Sequence, residues 1–177
     1  MTVSLSTPEI HPALDQPLLR DLIAPRRPLW TASELLGLTK NVASVFEDQL
    51  AGILEYVPGQ RWWARLALTE EVELWLLSWM PGQGTEPHDH GGASGSFTVH
   101  RGELREDYRY PTGPIRGATR QLGTGVGFGP GRAHQVRNVG TVNAASVHAY
   151  SPPLLPTNEY ASLEDYVAVP TPRGNTK

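Results

Sequence analysis

The chain of 177 residues contains no cysteine, and this absence removes several kinds of chemistry at once. It excludes disulfide bonds, metal sites built from cysteine alone and a thiolate nucleophile supplied by the protein. Any sulfur chemistry that this protein carries out must therefore use sulfur that the substrate brings.

The sequence also has no long basic run and no apolar run of membrane length. Binding a phosphate backbone takes a basic stripe, but the formal net charge is -3 and Arg26-Arg27 is too short to form one. A membrane helix takes about 20 apolar residues, and the first residues lack the features of a signal peptide. We therefore expect a cytoplasmic monomer that binds a small molecule and neither nucleic acid nor membrane.

The composition, 39% hydrophobic and 19% charged, is ordinary for one globular domain of this length. Within that domain, residues 1–57 are interpreted as an arm followed by helices that pack on the body of the protein. An apolar patch at residues 18–23 predicts a brief helix in the arm. Residues 58–177 are interpreted as the body with a C-terminal extension.

The helices after the arm have a recognisable start signal. Thr31 and Glu34 have the form of a capping box, and apolar residues follow at near-helical spacing. This pattern predicts one or two helices over residues 31–54. Gly37 and Thr39 indicate a break between them.

After Pro58-Gly59 the sequence changes to short runs separated by Gly and Pro, which is typical of antiparallel strands. The runs are residues 61–68, 72–80, 95–100, 103–110, 120–122, 135–139 and 144–150. They predict an all-β dominated fold, a small antiparallel barrel or sandwich with N-terminal helices. Leu163, Tyr166 and Val167 are expected to pack on its outside.

Two histidines, His88 and His90, stand in a segment crowded by Gly and Pro. On extended backbone side chains alternate, so both imidazoles point the same way and Asp89 points away. Such a pair also occurs in ordinary surface loops. A third histidine, His134, opens a later strand, and the strands of one barrel can bring all three together. Three imidazoles suit Fe, Zn, Cu or Ni better than Mg or Ca, and the residue types leave that choice open.

Other residues stand at fixed distances from these histidines. One set is Gly82, His88, His90 and Gly102, and a second set is Gly123, Pro130, Gly131, His134 and Asn138. They resemble the two motifs of the cupin superfamily, with Pro130 one place later than in the pattern. Ser94 and Gly95 stand where the first motif has a glutamate ligand. The resemblance therefore implies a cupin, a small antiparallel β-barrel or jelly roll, with three histidines and no carboxylate at the metal.

A third block, residues 146–153, reads Ser-Val-His-Ala-Tyr-Ser-Pro-Pro, and residues 74–79 form an apolar strand ahead of the first histidines. With the missing glutamate, these features are similar to the cysteine dioxygenase family of thiol dioxygenases, over roughly residues 58–153. The family supplies an outer-shell relay beside its iron from such a block. A purely structural hydrogen-bond network is the alternative interpretation.

The resemblance implies that His88, His90 and His134 bind Fe(II) and leave open sites for a thiolate, an amine and O2 as co-substrate. It implies catalytic roles for Ser146, His148 and Tyr150, with Tyr150 also touching the substrate. The implied reaction adds both atoms of O2 to the sulfur of L-cysteine and gives cysteine sulfinate. A neutral ligand set favours a substrate that brings its own negative ligand, such as a thiolate.

The family holds its substrate carboxylate by an arginine on an early strand, in an aromatic-x-Arg setting. Trp63-Ala-Arg65 matches this setting, so the resemblance implies Arg65 as the carboxylate clamp. Arg61 is the rival, because the loop at residues 69–73 differs in length from that of the family. A relative that oxidises 3-mercaptopropionate carries Gln at the clamp position, and Gln60 stands nearby. That acid therefore remains an alternative substrate.

Two further alternatives use the same fold. One is a cupin isomerase or another oxygenase, which the missing glutamate and the block at residues 146–153 disfavour. The other is a non-catalytic cupin that binds a metal or a small ligand. A catalytic site should place Tyr150 within reach of the open metal positions, whereas a binding site need not.

Two features near Tyr150 complete the interpretation. Some family members join a cysteine to the site tyrosine by a thioether, but the corresponding position here is Gly95, so this crosslink cannot form. Ser151-Pro152 follows directly on Tyr150, and cis costs only about 0.5 to 1 kcal/mol at an X-Pro bond. We predict a cis peptide there that ends the strand and aims Tyr150 inward.

Overall fold

The computed structural model describes residues 7–25 and 28–166. The helices of this part are α1 (Pro17–Leu22), α2 (Ala32–Val45) and α3 (Glu47–Ile53), with 3-10 turns at Pro12–Leu14 and Leu163–Asp165. The strands are β1 (Glu9–Ile10), β2 (Trp63–Leu68), β3 (Glu73–Trp79), β4 (His88–Asp89), β5 (Ser94–Arg101), β6 (Glu103–Arg109), β7 (Arg116–Gln121), β8 (Gly125–Phe128), β9 (Ala133–Arg137), β10 (Ala144–Ser151) and β11 (Asn158–Glu159). None of the described helices is long and apolar enough to cross a membrane.

Within the described residues the strands form two antiparallel sheets. One has the order β1-β2-β3-β10-β5-β8, and the other has the order β11-β4-β9-β6-β7. Phe97 and Trp79 from the first sheet pack with Leu104 and Val136 from the second, so the sheets enclose a shared core. The predicted fold, an all-β dominated barrel with N-terminal helices, is confirmed.

Strand β10 connects the helices to the barrel interior because it is buried on both faces. Val147 and Ala149 belong to the core cluster that the helices form with the first sheet. Side chains alternate along a strand, so Ser146, His148 and Tyr150 point to the opposite face, into the barrel. A strand covered on both sides is a rigid base for functional side chains.

Helix α2 begins as the sequence predicts, with the reciprocal Thr31–Glu34 capping box. The predicted break at Gly37 and Thr39 is wrong, since the helix continues to Val45 and the boundary with α3 falls at Phe46. Tertiary contacts override the local propensity. The buried Thr39 hydroxyl lies 2.9 Å from the hydroxyls of both Ser96 and Thr98, which fixes the helix on β5.

The sequence pattern missed strand β8, which contains Gly125 and Gly127 and looks like a turn. Both glycines are needed because α2 crosses the strand closely. A Cβ at Gly127 would lie 2.3 Å from the Ala32 carbonyl oxygen, and one at Gly125 would lie 2.8 Å from Leu36 Cδ1. The short strands β1 and β11 were also not predicted.

The chain beyond β10 agrees with two predictions. The Ser151–Pro152 peptide is cis, and β10 ends at Ser151. Leu163 and Tyr166 are buried and pack with Ala133. Val167, the third residue predicted to pack there, lies outside the described residues.

The contact between α2 and β5 gives a stability prediction. Thr39→Val keeps the shape of the side chain but leaves the buried hydroxyls of Ser96 and Thr98 without this partner. We expect the free energy of unfolding to fall by about 1 to 3 kcal/mol in urea denaturation. The control is Ser44→Ala on the exposed part of the same helix, which should change it by less than about 0.5 kcal/mol. Equal stability of Thr39→Val and wild type would show that these hydroxyls do not hold the helix.

Candidate metal centre and adjoining cavity

His88, His90 and His134 come together inside the barrel. Each offers one ring nitrogen, and these three atoms all lie within 4.8 Å of one another. His88 on β4 pairs directly with His134 on β9, and His90 immediately follows β4. The alternation of side chains thus brings the three predicted histidines into one group able to hold a metal.

Asp89, between the two histidines, points away from this group as the sequence predicts. It accepts hydrogen bonds from the Gly91 amide at 2.8 Å and from Asn158 Nδ2 at 2.9 Å, and the Tyr160 hydroxyl also donates to it. Asn158 lies on β11, which pairs with β4. Asp89 therefore fixes the strand that carries His88.

Two of the three imidazoles are oriented by acceptors at Nδ1. The Glu86 carbonyl lies 2.8 Å from His88 Nδ1, and Glu106 Oε1 lies 2.9 Å from His134 Nδ1. Both partners accept, so we assign the proton to Nδ1 in each ring and the free lone pair to Nε2. Metal-bound histidines are commonly oriented in this way, by an acceptor on the ring nitrogen that does not bind the metal.

His90 has no such acceptor, and its two ring nitrogens are buried without a hydrogen-bond partner in the described structure. Its ring stacks on that of Tyr150, with centroids 4.6 Å apart. Burial and the neighbouring His134 and His88 hold the pKa of His90 well below its usual value. Burial and His134 likewise lower the pKa of His88 to about 4. A buried neutral imidazole without a partner fits a metal ligand, and three nitrogens suit a transition metal.

Glu106 is a fully buried carboxylate behind His134 that the sequence interpretation missed. Arg120 and Arg132 each place a guanidinium nitrogen 2.7 Å from one of its oxygens. Burial raises the pKa of Glu106, but the hydrogen bond from His134 and the contacts with Arg132 and Arg120 outweigh this and leave it at about 2. The signal in the sequence was its position. Glu106 stands two residues after Leu104 on β6, so alternation places this charged residue on the inward face of the strand.

Ser146, His148 and Tyr150 form a continuous hydrogen-bonded chain, which Trp79 extends. Trp79 Nε1 donates to Ser146 Oγ at 2.8 Å, and that oxygen lies 2.7 Å from His148 Nε2. His148 Nδ1 lies 3.1 Å from the Tyr150 hydroxyl. An indole N–H only donates, so Ser146 Oγ accepts from Trp79, and the buried Ser146 proton has an acceptor only if Ser146 donates to His148, which then donates to Tyr150.

This order leaves the Tyr150 O–H free to donate into the cavity beside the histidines. Burial, together with the charge of Arg61, lowers the pKa of His148, which keeps the imidazole neutral. Burial and the Glu73 carboxylate raise the pKa of Tyr150, although Arg61 opposes them. The tyrosine is therefore a neutral hydrogen-bond donor at neutral pH.

Gly95 lies directly against the ring of Tyr150. A Cβ at this position would stand 2.5 Å from Phe128 Cζ and 2.9 Å from Tyr150 Cδ1. The ring of Phe128 fills the space that a side chain would need, and it also contacts His90 and His134, with centroids 5.3 and 5.2 Å away. Phe128 lies on the unpredicted strand β8, so the sequence interpretation missed this wall of the site.

Arg65, expected to be the carboxylate clamp, lies outside the cavity. It forms an ion pair with Glu9 at 2.6 Å and stacks over Trp75. Its rival Arg61 lines the cavity instead, stacked over Trp79 with its Cζ 4.8 Å from the ring centroid. Arg61 lies two residues ahead of β2, whereas Arg65 lies within that strand. The structure therefore places Arg61, and not Arg65, at the cavity.

The cavity has a volume of about 170 Å³. The three histidines, Tyr150 and Arg61 line it, together with the buried carboxylate of Glu73. Arg61 Nε and Nη1 are buried and have no hydrogen-bond partner in the described structure, and burial lowers the pKa of this arginine. Drug-sized ligands occupy roughly 300 to 1,000 Å³, so this cavity suits a smaller, charged molecule.

The hydrogen bond between Glu106 and His134 should increase the affinity of the site for its metal. Glu106→Gln should weaken metal binding about 10- to 100-fold, because His134 loses its charged acceptor. The free energy of unfolding should fall as well, by about 3 to 5 kcal/mol, since Arg120 and Arg132 lose their partner. Chelator competition with Fe(II) under argon measures the affinity, and the exposed Glu103→Gln on the same strand is the control. An unchanged affinity in a folded Glu106→Gln protein would contradict this role.

Several solved structures share this fold over 58 to 62% of the chain. A protein with a double-stranded β-helix domain from Klebsiella pneumoniae matches with a TM-score of 0.52 and 19% identity, over 62% of this chain and 92% of its own. TT1209 from Thermus thermophilus matches with a TM-score of 0.51 and 22% identity, over 58% of this chain and 93% of its own. Lactobacillus farciminis oxalate decarboxylase matches with a TM-score of 0.51 and 15% identity, over 60% of this chain and 32% of its own. At these identities the similarity establishes the cupin fold alone.

No curated protein matches the chain significantly. The family model described as Cysteine dioxygenase type I matches residues 54–162, which is more than half of the chain. The matched segment contains the three histidines, the relay from Ser146 to Tyr150 and the cavity arginine Arg61. The chain therefore belongs to the cysteine dioxygenase type I family.

Proposed function

We propose that this protein is an iron-dependent dioxygenase that adds both atoms of O2 to the sulfur of L-cysteine. The products balance as one thiol and one O2 giving one sulfinic acid, with no external reductant. Family membership supports the reaction class, and the three-histidine group supports a metal cofactor.

The observation that carries the choice of substrate is Arg61. Arg61 Nε and Nη1 are buried without an acceptor in the described structure, and buried donors that lack an acceptor are costly. Arg61 lines the same small cavity as the three histidines and Tyr150. A substrate carboxylate would supply the missing partner through two parallel hydrogen bonds.

Fe(II) held by His88, His90 and His134 would supply the coordination positions at which a thiolate and O2 meet. The chain's own residues do the remaining work. Arg61 would fix the carboxylate end of the substrate, which leaves its thiol directed toward the histidines. Phe128 and Trp79 would exclude water from one wall of the site.

Tyr150 would act as the hydrogen-bond donor beside the reacting sulfur. Its hydroxyl accepts from His148, and its own proton remains available to the cavity. Ser146 holds His148 in the tautomer that makes this possible. Ser146 and His148 therefore orient the Tyr150 hydroxyl as a hydrogen-bond donor, and all three groups stay neutral.

A second candidate substrate is 3-mercaptopropionate, since Arg61 would bind its carboxylate equally well. The sequence argument for it used Gln60, but that side chain is exposed and does not line the cavity. A non-catalytic cupin is the remaining alternative. It would need neither the position of Tyr150 against His90 nor an ordered relay behind it.

The reaction is tested by loading the protein with Fe(II) under argon and then measuring O2 uptake with L-cysteine, 3-mercaptopropionate and cysteamine in parallel. We expect L-cysteine to be the best substrate and cysteine sulfinate to form. His88→Ala should lose bound iron and activity together, because two imidazoles cannot complete the ligand set. Full turnover with stoichiometric iron in His88→Ala would refute the metal site, and preferred oxidation of 3-mercaptopropionate would make cysteine the wrong thiol.

Arg61→Ala tests the clamp. Losing a charged hydrogen bond is worth roughly 1.5 to 3 kcal/mol, so kcat/KM for L-cysteine should fall about ten- to a hundredfold. Arg65→Ala is the matched control, because it removes the same side chain from the same strand region outside the cavity. If Arg65→Ala proved the more damaging change, the assignment of the clamp would be reversed.

A further inference from the structure

Glu73 is a carboxylate on the cavity wall that neither the three histidines nor the relay uses. It is only 7% exposed, and it lines the cavity with Arg61. Glu73 begins β3 and pairs directly with Tyr150 on β10. Directly opposed residues of neighbouring strands share a face, so the two side chains stand beside each other.

Most of the hydrogen-bonding capacity of Glu73 is unused. Among the described residues its side chain has one hydrogen bond, which Oε1 accepts from the Leu154 amide at 3.1 Å. A carboxylate can accept about four. The other buried glutamate of the barrel, Glu106, is paired with Arg120 and Arg132. Glu73 has no such ion pair in the described structure, although a buried carboxylate needs donors or a counter-charge.

The cavity wall therefore carries one guanidinium, Arg61, and one carboxylate, Glu73, and neither has an ion pair among the described residues. An amino acid carries a carboxylate and an amino group. The carboxylate would bind Arg61, and the amino group would bind Glu73. A thiol that bears only a carboxylate would pair with Arg61 but be repelled by Glu73. An amino group whose lone pair bound the metal would keep its N–H donors, so Glu73 could still accept a hydrogen bond from it.

We propose that Glu73 binds the amino group of the substrate and so selects aminothiols over thiols that carry only an acid. This inference rests on the proposed function and names the substrate class as a small thiol with an amino group. It makes Glu73 a specificity residue, whereas Arg61 recognises the carboxylate.

The two residues should then be separable with three thiols. Cysteamine has the amine alone, 3-mercaptopropionate has the carboxylate alone and L-cysteine has both. Loss of the Glu73 charge should weaken cysteamine and L-cysteine, and loss of Arg61 should weaken 3-mercaptopropionate and L-cysteine. A purely structural role for Glu73, such as holding the Leu154 amide, would affect all three thiols alike.

The experiment uses Glu73→Gln, whose amide oxygen can still accept from Leu154. Binding of each thiol to Fe(II)-loaded protein is measured by isothermal titration calorimetry under argon, where no turnover occurs, and kcat/KM is measured separately by O2 uptake. Glu71→Gln is the matched control, because this glutamate lies in the same hairpin and accepts from Thr69 outside the cavity. Circular dichroism checks that each variant is folded.

We expect Glu73→Gln to raise the Kd of L-cysteine and cysteamine about ten- to a hundredfold. The Kd of 3-mercaptopropionate should stay unchanged or fall. Equal changes for all three thiols, or no change for any, would overturn the proposal. If wild type binds the thiols but oxidises none, the proposed function fails while the Kd ratios still decide the role of Glu73. If wild type binds none of them, both proposals are wrong.

Discussion

The site depends on the hydrogen bonds that fix which nitrogen of His88 and of His134 faces the cavity. The Glu86 carbonyl and the Glu106 carboxylate each accept from an Nδ1, so His88 and His134 present Nε2 to the cavity. Without these acceptors, a buried histidine could rotate or change tautomer, and a three-nitrogen ligand set would lose its geometry. Glu106 can remain charged in the barrel because Arg120 and Arg132 balance it.

The fold makes this arrangement possible through strands that are buried on both faces. One face of β10 joins the core under α2, and the other carries Ser146, His148 and Tyr150 toward the histidines. Polar groups inside a barrel are costly unless they are paired. Most of them are paired here, and the unpaired atoms of His90 and Arg61 lie at the cavity. At this location His90 can bind a metal, and Arg61 can bind an anionic group of a substrate.

Much of the site could be predicted from the sequence because it depends on local periodicity. The alternation that aims His88 and His90 together and turns Asp89 away is a property of extended backbone, and the same holds for Ser146, His148 and Tyr150. His134 could be added because it opens a strand of the same barrel. Residue spacing accounts for the common direction of these side chains, whereas the roles of Ser146, His148 and Tyr150 were implied by the resemblance to the cysteine dioxygenase family.

The rest depends on contacts between distant segments. Arg61 and Arg65 share a strand face in the pattern, and only the pairing of β1 beside β2, with Glu9 against Arg65, shows which of them reaches the cavity. A register shift between Arg65 and Ala67 also lies outside what the pattern can reveal. Strand β8 was missed because its glycines are set by the approach of α2, which brings Phe128 to the site.

The central claim is that the protein transfers both atoms of one O2 molecule to a thiol sulfur. It is tested most directly by supplying ¹⁸O2 to Fe(II)-loaded protein with L-cysteine and analysing the product by mass spectrometry. The account predicts cysteine sulfinate with ¹⁸O at both sulfinate oxygens. A sulfinate with one oxygen from water, or a disulfide as the sole product, would contradict it.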